Sequence, residues 1–462
     1  MAQRGASVLV LEASDEIGGG TRTAELTLPG FHHDVCSAVH TTGILSPFFR
    51  SLPLEEHGLS WILPAASVAH PLDEQPAVMM WRSVERTCEE LGADASSYRA
   101  LVAPFLESPD GFFDDVLGPL GWPKHPGMFA RFGSRAMWPA SAFARWRFQQ
   151  SRARALFAGS AGHSVLPLSK MFTAALGIVF SIAGHVEPWP VAAGGSRVIP
   201  TALAGLLRSL GGEIQTGVRV SRAEELPAAR VYLFDTSPDQ LSSIAGDALP
   251  SGYRRRLGRY RYGPGVFKLD WALDGPIPWR DERCLEASTV HVGGTLEEIA
   301  ASEAAMFRGR HSEEPYLILC QQSQLDPSRA PEGRHTGYAY CHVPGGSTVD
   351  MTEAIERQVE RFAPGFRDRI LARHAMNTHD FQRYNPNNVG GAITGGVADL
   401  FQLFTRPVAR LDPYSTPNPR IFICSASTPP GGGVHGMCGY HAAQSALKQL
   451  ERGGHDLPLK QA

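Results

Sequence analysis

Glycines and one carboxylate carry the first chemical signal in this chain. Glu12 closes the apolar run SVLVLEA, and DEIGGGTRT follows at once. An acidic side chain at the end of such a strand is placed to accept hydrogen bonds from nucleotide ribose hydroxyls. Gly18, Gly19 and Gly20 remove three side chains in a row, so backbone N–H groups can approach a phosphate or sugar closely, and Arg22 adds a permanent cation nearby. Near the other end, Gly431, Gly432, Gly433 and Gly436 lie between the strand-like run IFICSAS and the helical pattern HAAQSALKQL. They permit a second close backbone approach, at the positive end of a helix. Either segment alone reads equally as a tight turn. Two of them are harder to dismiss.

The titratable residues name no catalytic base. His32, His33 and Asp34 follow the first glycine loop in FHHDVCSAVH, while His435 and His441 flank the second. For each of the five a structural role competes with proton transfer. Trp271, Tyr338 and Tyr340 read as core or as the wall of an apolar pocket. There is no GxSxG elbow with Ser, His and Asp in order, no HExxH and no GxxxxGK[ST] loop, which leaves hydrolase and phosphotransferase readings without support. Seven scattered cysteines include no CxxC, so free thiols in a reducing compartment are expected, with no metal site.

The elements that must position these residues read as two kinds of structure. SVLVLEA has the Val and Leu richness of a parallel strand buried on both faces, preceded by a helix end stopped at Gly5. Residues 83–184 carry helical patterns and form a mainly helical cap. Within it MFTAALGIVFSIAG, Met171 to Gly184, is a buried helix, because a bilayer span needs about 20 residues. From residue 189 a loop, an amphipathic helix ending at Gly211 and Gly212, and a short strand return the chain to an α/β layer. VYLFDTSP is a further buried strand with a turn at Asp235 to Pro238. VFKLDWAL, PYLILCQQ and TGYAYCHV read as an antiparallel sheet with no comparable helices between them. MTEAIERQVERFAP is a helix, and the last ten or so residues are polar enough to fray. At 462 residues, 43% hydrophobic, 19% charged and with a net charge of -3, two domains or one domain with a large insertion are expected, and no electrostatic footprint for nucleic acid is present.

LVLEASDEIGGGTRT resembles the second strand, ribose-binding glutamate and diglycine motif of the FAD superfamily of amine oxidases, carotenoid desaturases and phytoene-dehydrogenase-like proteins. IFICSASTPPGGGVHGMCGYHAAQSAL is similar to its C-terminal flavin motif, with Ser425 and Ser427 where a glycine is common. PVAAGGSRVIPTALAGLLRSLGGEIQTGVRV, GPGVFKLDWALDGPIPW and NPNNVGGAITGG extend the resemblance over essentially the whole chain, on the phytoene-dehydrogenase-like branch. The resemblance implies FAD as cofactor. It assigns FAD contacts to Glu12, Gly18, Gly19, Gly20, Thr21, Arg22, Thr23, Val220, Pro430, Gly431, Gly432, Gly433, Val434 and Gly436, and leaves the catalytic residue open.

One departure is serious. The fingerprint GxGxxG should end roughly 20 residues before the ribose acid, yet eleven residues precede Glu12. The expected fold is therefore α/β: an FAD-binding Rossmann-like domain lacking its first strand and glycine turn, with an inserted substrate domain of antiparallel sheet plus helical cap. A start assigned too late explains this better than lost cofactor binding. The discontinuous FAD domain is expected in 1–75, 185–262 and 405–462, and the substrate domain in 76–184 and 263–404. The implied activity is flavin-dependent dehydrogenation or desaturation of a small lipophilic, isoprenoid-like substrate, with an unassigned electron acceptor. An amine oxidase and a flavin-free scaffold protein are the alternatives. Peripheral membrane contact would suit such a substrate. No basic, signal-length apolar start is present, so the cytoplasm is expected, or the mitochondrial matrix in a eukaryote.

Overall fold

The chain, seen in a computed structural model that describes residues 1–119 and 121–452, opens with a 3-10 turn at Ala2–Arg4, stopped by Gly5 in the left-handed region at φ 77°. β1 (Leu9–Leu11) leads through the glycine loop to a hairpin of β2 (Thr23–Glu25) and β3 (His32–Asp34). Then come β4 (Trp61–Ile62), β5 (Ala66–His70) and β6 (Val78–Trp81). The helical cap follows as α1 (Val84–Leu91), α2 (Ala95–Leu106), α3 (Pro109–Val116), α4 (Pro126–Ala136), α5 (Ala140–Arg147), α6 (Ser151–Gly162) and α7 (Thr173–Val186). β7 (Val191–Ala192), α8 (Val198–Ser209), β8 (Glu213–Gln215), β9 (Tyr232–Phe234), α9 (Pro238–Ala245) and α10 (Ser251–Leu257) form the return. β10 (Gly265–Leu273), β11 (Ala287–Val292), α11 (Leu296–Phe307), β12 (Leu317–Cys320), β13 (His335–Val343), α12 (Thr352–Phe362) and β14 (Ile370–Met376) complete the insertion. α13 (Thr378–Tyr384), α14 (Leu400–Thr405), β15 (Ile421–Ile423) and α15 (Met437–Arg452) close the described chain.

One large sheet, in the order β14-β10-β13-β12-β11-β5-β6, supports the insertion. Its two faces differ because residues alternate sides along a strand. Leu269 and Trp271 of β10, with Ala339 and Cys341 of β13, look toward α12, whose Ile355, Val359 and Phe362 recur at helical spacing on one side. Lys268 and Asp270 look the other way, with Tyr340 and Tyr338 as their register partners. α6 and α7 pack over the far end of that second face, through Phe157, Ala158, Ile178 and Ile182 against Val68, Met80, Tyr316 and Ile318. α7 is apolar nearly all round and interior, as its run of small and branched residues predicts.

β5 and β6 belong to the large sheet. Three expectations are corrected. The sheet is mixed, because β5 lies parallel to β11 while its other pairings are antiparallel. α11 stands between β11 and β12, where no helix is expected. Thr295 and Glu298 cap it reciprocally, a start signal legible in TLEE. Finally β1 is not buried on both faces: Leu9 and Val10 are each 39% exposed. Among the described residues β1 bonds only to β8, and β9 only to β15, each pair parallel, so the α/β part comprises two separate ribbons, in keeping with a Rossmann-like sheet that lacks a strand. The tail expected to fray, residues 453–462, lies outside the described residues.

Candidate functional site

Glu12 directly follows β1, and its backbone holds the neighbouring loop. Its N–H donates to the Gln215 carbonyl and its carbonyl accepts from the Val218 N–H, both near 2.8–2.9 Å. Val220, two residues on, packs beside Phe234 and Leu241, and no described hydrogen bond uses its backbone. The Glu12 carboxylate accepts the Ser14 N–H at 2.7 Å and is partly open to solvent. Gly18 and Gly19 have φ of 117° and 52°, a conformation that disfavours any side chain. A Cβ at Gly19 or Gly20 would meet nothing closer than 3.7 Å, so the loop surface there is open. Thr21 caps the turn onto the Gly18 carbonyl at 2.7 Å, and Thr23 donates to Asp34 at 2.7 Å. Arg22 places its guanidinium against the loop itself. It is buried, its Nε donates to the Glu16 carbonyl at 3.1 Å, and its Nη2 lies 3.6 Å from Glu12, so it fastens the loop.

The C-terminal turn is equally close-packed. A Cβ at Gly431 would stand 2.9 Å from Arg406 Nη1, one at Gly432 2.6 Å from the Thr394 carbonyl oxygen, and one at Gly433 2.9 Å from the His435 ring. Glycine is therefore required there by the protein's own packing. Pro430 precedes this turn. Val434 lays its carbonyl oxygen on Gly43, 2.8 Å from where a Cβ would be, and Gly436, at φ 67°, abuts the Phe49 ring at the start of α15.

Segment 384–397 joins these pieces. Tyr384 donates to the Gly19 carbonyl at 2.7 Å, Asn387 accepts the Ser237 N–H at 2.7 Å beyond β9, and Thr394 packs on Gly432. The glycine loop, the end of β9 and the C-terminal turn thus share one place in the fold. From there Gly20 faces Cys36, and Tyr338 donates to the Cys36 carbonyl at 3.4 Å. Lys268 Nζ then sits 4.3 Å above the Tyr338 ring.

That lysine belongs to a polar array that sequence reading missed. Lys268 and Asp270 are 1% and 0% exposed and form an ion pair through Nζ and Oδ1. His33 and His374 Nδ1 stand 3.7 and 3.8 Å from the same carboxylate, whose Oδ2 has no hydrogen-bond partner. Burial opposes ionisation of Asp270, but Lys268 and the imidazoles hold its carboxyl below the usual range. Farther along the same face His342 Nδ1 lies 2.9 Å from Glu303 Oε2, with Nε2 buried and unpartnered. His163 and His291 share a hydrogen bond at 2.9 Å. The signal was available: K and D in VFKLDWAL, and Y, Y and H in YAYCHV, fall on alternate positions of otherwise apolar strands.

The other candidates separate cleanly. Trp271 is on the opposite face as core, its Nε1 donating to Glu356 at 3.1 Å, whereas Tyr338 and Tyr340 line the polar face. Asp34 is a fastener: it pairs with Arg329 at 2.8 Å and accepts the Ser196 N–H at 2.8 Å. Burial lowers His33 and His435 to about 4, so both are neutral near pH 7. His435 Nδ1 accepts the Met437 N–H at the start of α15, and His441 stacks on Tyr414. His32 is a half-buried residue of β3. Ser425 and Ser427 bond each other at 2.7 Å.

No family model matches the chain. It is 28% identical over 318 residues to mouse pyridine nucleotide-disulfide oxidoreductase domain-containing protein 2, covering 59% of this chain and 54% of that protein. It is 26% identical over 258 residues to phytoene dehydrogenase of Streptomyces griseus, covering 52% and 45%. The chain thus spans about half the length of the curated relatives it matches. Among solved structures, an oxidoreductase from Methanosarcina mazei superposes with a TM-score of 0.63 at 12% identity, over 97% of this chain and 95% of that one. Putrescine oxidase with bound putrescine gives 0.59 at 15% identity, over 97% and 94%. The fold is the amine oxidase fold. Solved neighbours of this fold, such as putrescine oxidase and cyclohexylamine oxidase, are FAD-dependent. The residues here fit that cofactor: an acid directly follows β1, Gly19 and Gly20 leave open space, and a glycine turn precedes α15.

Proposed function

We propose that the protein is an FAD-dependent oxidoreductase that dehydrogenates a lipophilic substrate of isoprenoid-like character by hydride transfer. One observation carries this reading: segment 384–397 ties the Gly19 loop to the Gly432 turn, and Cys36 and Tyr338 link that place to the buried Lys268. Glu12, Gly18 to Thr23, Val220, Pro430 to Val434 and Gly436 would hold the cofactor. FAD, when bound, supplies the hydride acceptor. The chain's own residues orient substrate and exclude water. Tyr338 and Tyr340 offer ring faces toward the substrate side, and Lys268 Nζ, paired with Asp270, positions its charge beside them.

The chromophore tests the reading directly. The purified chain should show flavin absorption, retained or restored by added FAD, and Glu12→Ala should weaken FAD retention about tenfold or more, since a carboxylate hydrogen bond to a hydroxyl is lost. Lipophilic polyene precursors should bleach that absorption without oxygen. A chain that takes up no FAD sinks the proposal, and hydrogen peroxide release with amines alone replaces the substrate class by that of an amine oxidase.

A further inference from the structure

α14 is built inside out. Gln402 faces inward and is 6% exposed, its Nε2 donating to the Arg261 and Val397 carbonyls at 2.7 and 2.9 Å and its Oε1 accepting the Arg261 N–H at 2.9 Å. Leu400, Phe401 and Phe404 point outward, with Phe401 76% exposed. A helix whose surroundings are water does the reverse. The apolar surface continues beyond it. The Phe404 ring stands 5.6 Å from that of Phe172, whose N–H donates to the Met137 carbonyl at 3.1 Å. Exposed Trp138, next in sequence, stacks on exposed Trp146 at 5.5 Å.

Cations border this surface. Arg255, Arg256 and Arg259, on and just after α10, are exposed, and none has an ion-pair partner among the described residues. Arg256 and Arg259 line a groove together with Phe401. Outward Phe and Leu, a pair of amphipathic indoles and a basic rim match the chemistry of a bilayer interface with anionic headgroups. A second copy of the chain fits less well, because a twofold contact would set the arginine rim against itself. No described helix is long and apolar enough to cross a membrane, so the surface would rest on the bilayer.

We infer that α14, the Trp138 and Trp146 pair and the arginines around α10 form a docking surface for an anionic lipid bilayer. The inference stands on exposure and charge, independently of the flavin reading. Full-length protein should sediment with vesicles of phosphatidylcholine and phosphatidylserine, weakly with phosphatidylcholine alone, and less as salt rises. Phe401→Ser with Phe404→Ser should weaken binding at least tenfold with circular dichroism unchanged, since two outward aromatic rings are lost. Arg255→Gln, Arg256→Gln and Arg259→Gln should each cost about fivefold, on anionic vesicles only. Brominated lipids should quench the wild-type fluorescence, and less so in Trp138→Phe with Trp146→Phe, a reading that decides the matter if either surface variant fails to fold. Binding no better than a vesicle-free control, variants that bind like wild type, or a dimer dissolved by the phenylalanine changes would overturn it.

Discussion

Lys268 and Asp270 illustrate how much a single buried pair demands. Each ion gives up water, and the pair repays this only through close contact and further partners. Here those are the Tyr338 ring and the His33 and His374 imidazoles. Lys268→Met removes one charge and leaves Asp270 buried without compensation, so it should cost about 3–5 kcal/mol in urea unfolding. Lys268→Met with Asp270→Leu should recover most of that, because no lone charge remains. Equal loss in the single and double variants would refute the ion pair as the source. The array was half legible in sequence. Alternate positions in VFKLDWAL and YAYCHV put Lys268, Asp270, Tyr338, Tyr340 and His342 on one face of their strands, a pattern that the reading of Tyr338 and Tyr340 alone left unused, whereas Trp271 belongs to the other parity and to the core. Glu303, the partner of His342, comes from α11, and no spacing between them signals the contact.

At the scale of elements, local signals were read well and pairing poorly. α7, α8, α12 and α15 follow from periodicity and glycine stops, because a helix closes its own hydrogen bonds. β11 and β14 were not anticipated. β11 is buried, yet ASTVHV mixes Ser, Thr and His with its valines, and β14 alternates exposed and half-buried residues in ILARHAM. Small residues on α6 set how closely it lies on the sheet. A Cβ at Gly162 would fall 2.5 Å from the Tyr316 ring and one at Gly159 2.6 Å from His291 Nδ1. Gly162→Ala should therefore cost about 1–3 kcal/mol by overpacking. Gly133, inside α4, would place its Cβ in open space, and Gly133→Ala should stabilise by about 0.5–1 kcal/mol. Opposite signs in thermal melts test the close approach of α6, and a neutral Gly162→Ala would mean that the helix can lift away.

For the whole molecule, the order of the large sheet depends on pairings between distant segments, β5 with β11 above all, which no local pattern encodes. The same burial that builds this interior fixes its response to acid. Burial lowers His40, His70 and His435 to about 4, against an ordinary value near 6.5 in the unfolded chain. Below pH 6.5 the unfolded chain therefore binds protons that the folded chain refuses. Stability from these groups is fully present above pH 6.5 and is lost as pH falls from 6.5 through about 4. At pH 5 each imidazole should already cost about 1–2 kcal/mol, and three together are a large fraction of the roughly 5–15 kcal/mol typical of a folded domain. Tm measured by circular dichroism should hold between pH 8 and 7 and drop steeply between 6.5 and 5. His70→Phe, which exchanges the imidazole for an apolar ring at the expense of its bond to the Gly294 carbonyl, should flatten that drop while lowering Tm at pH 7.5. A Tm that rises on acidification would place these histidines as cations in the folded protein.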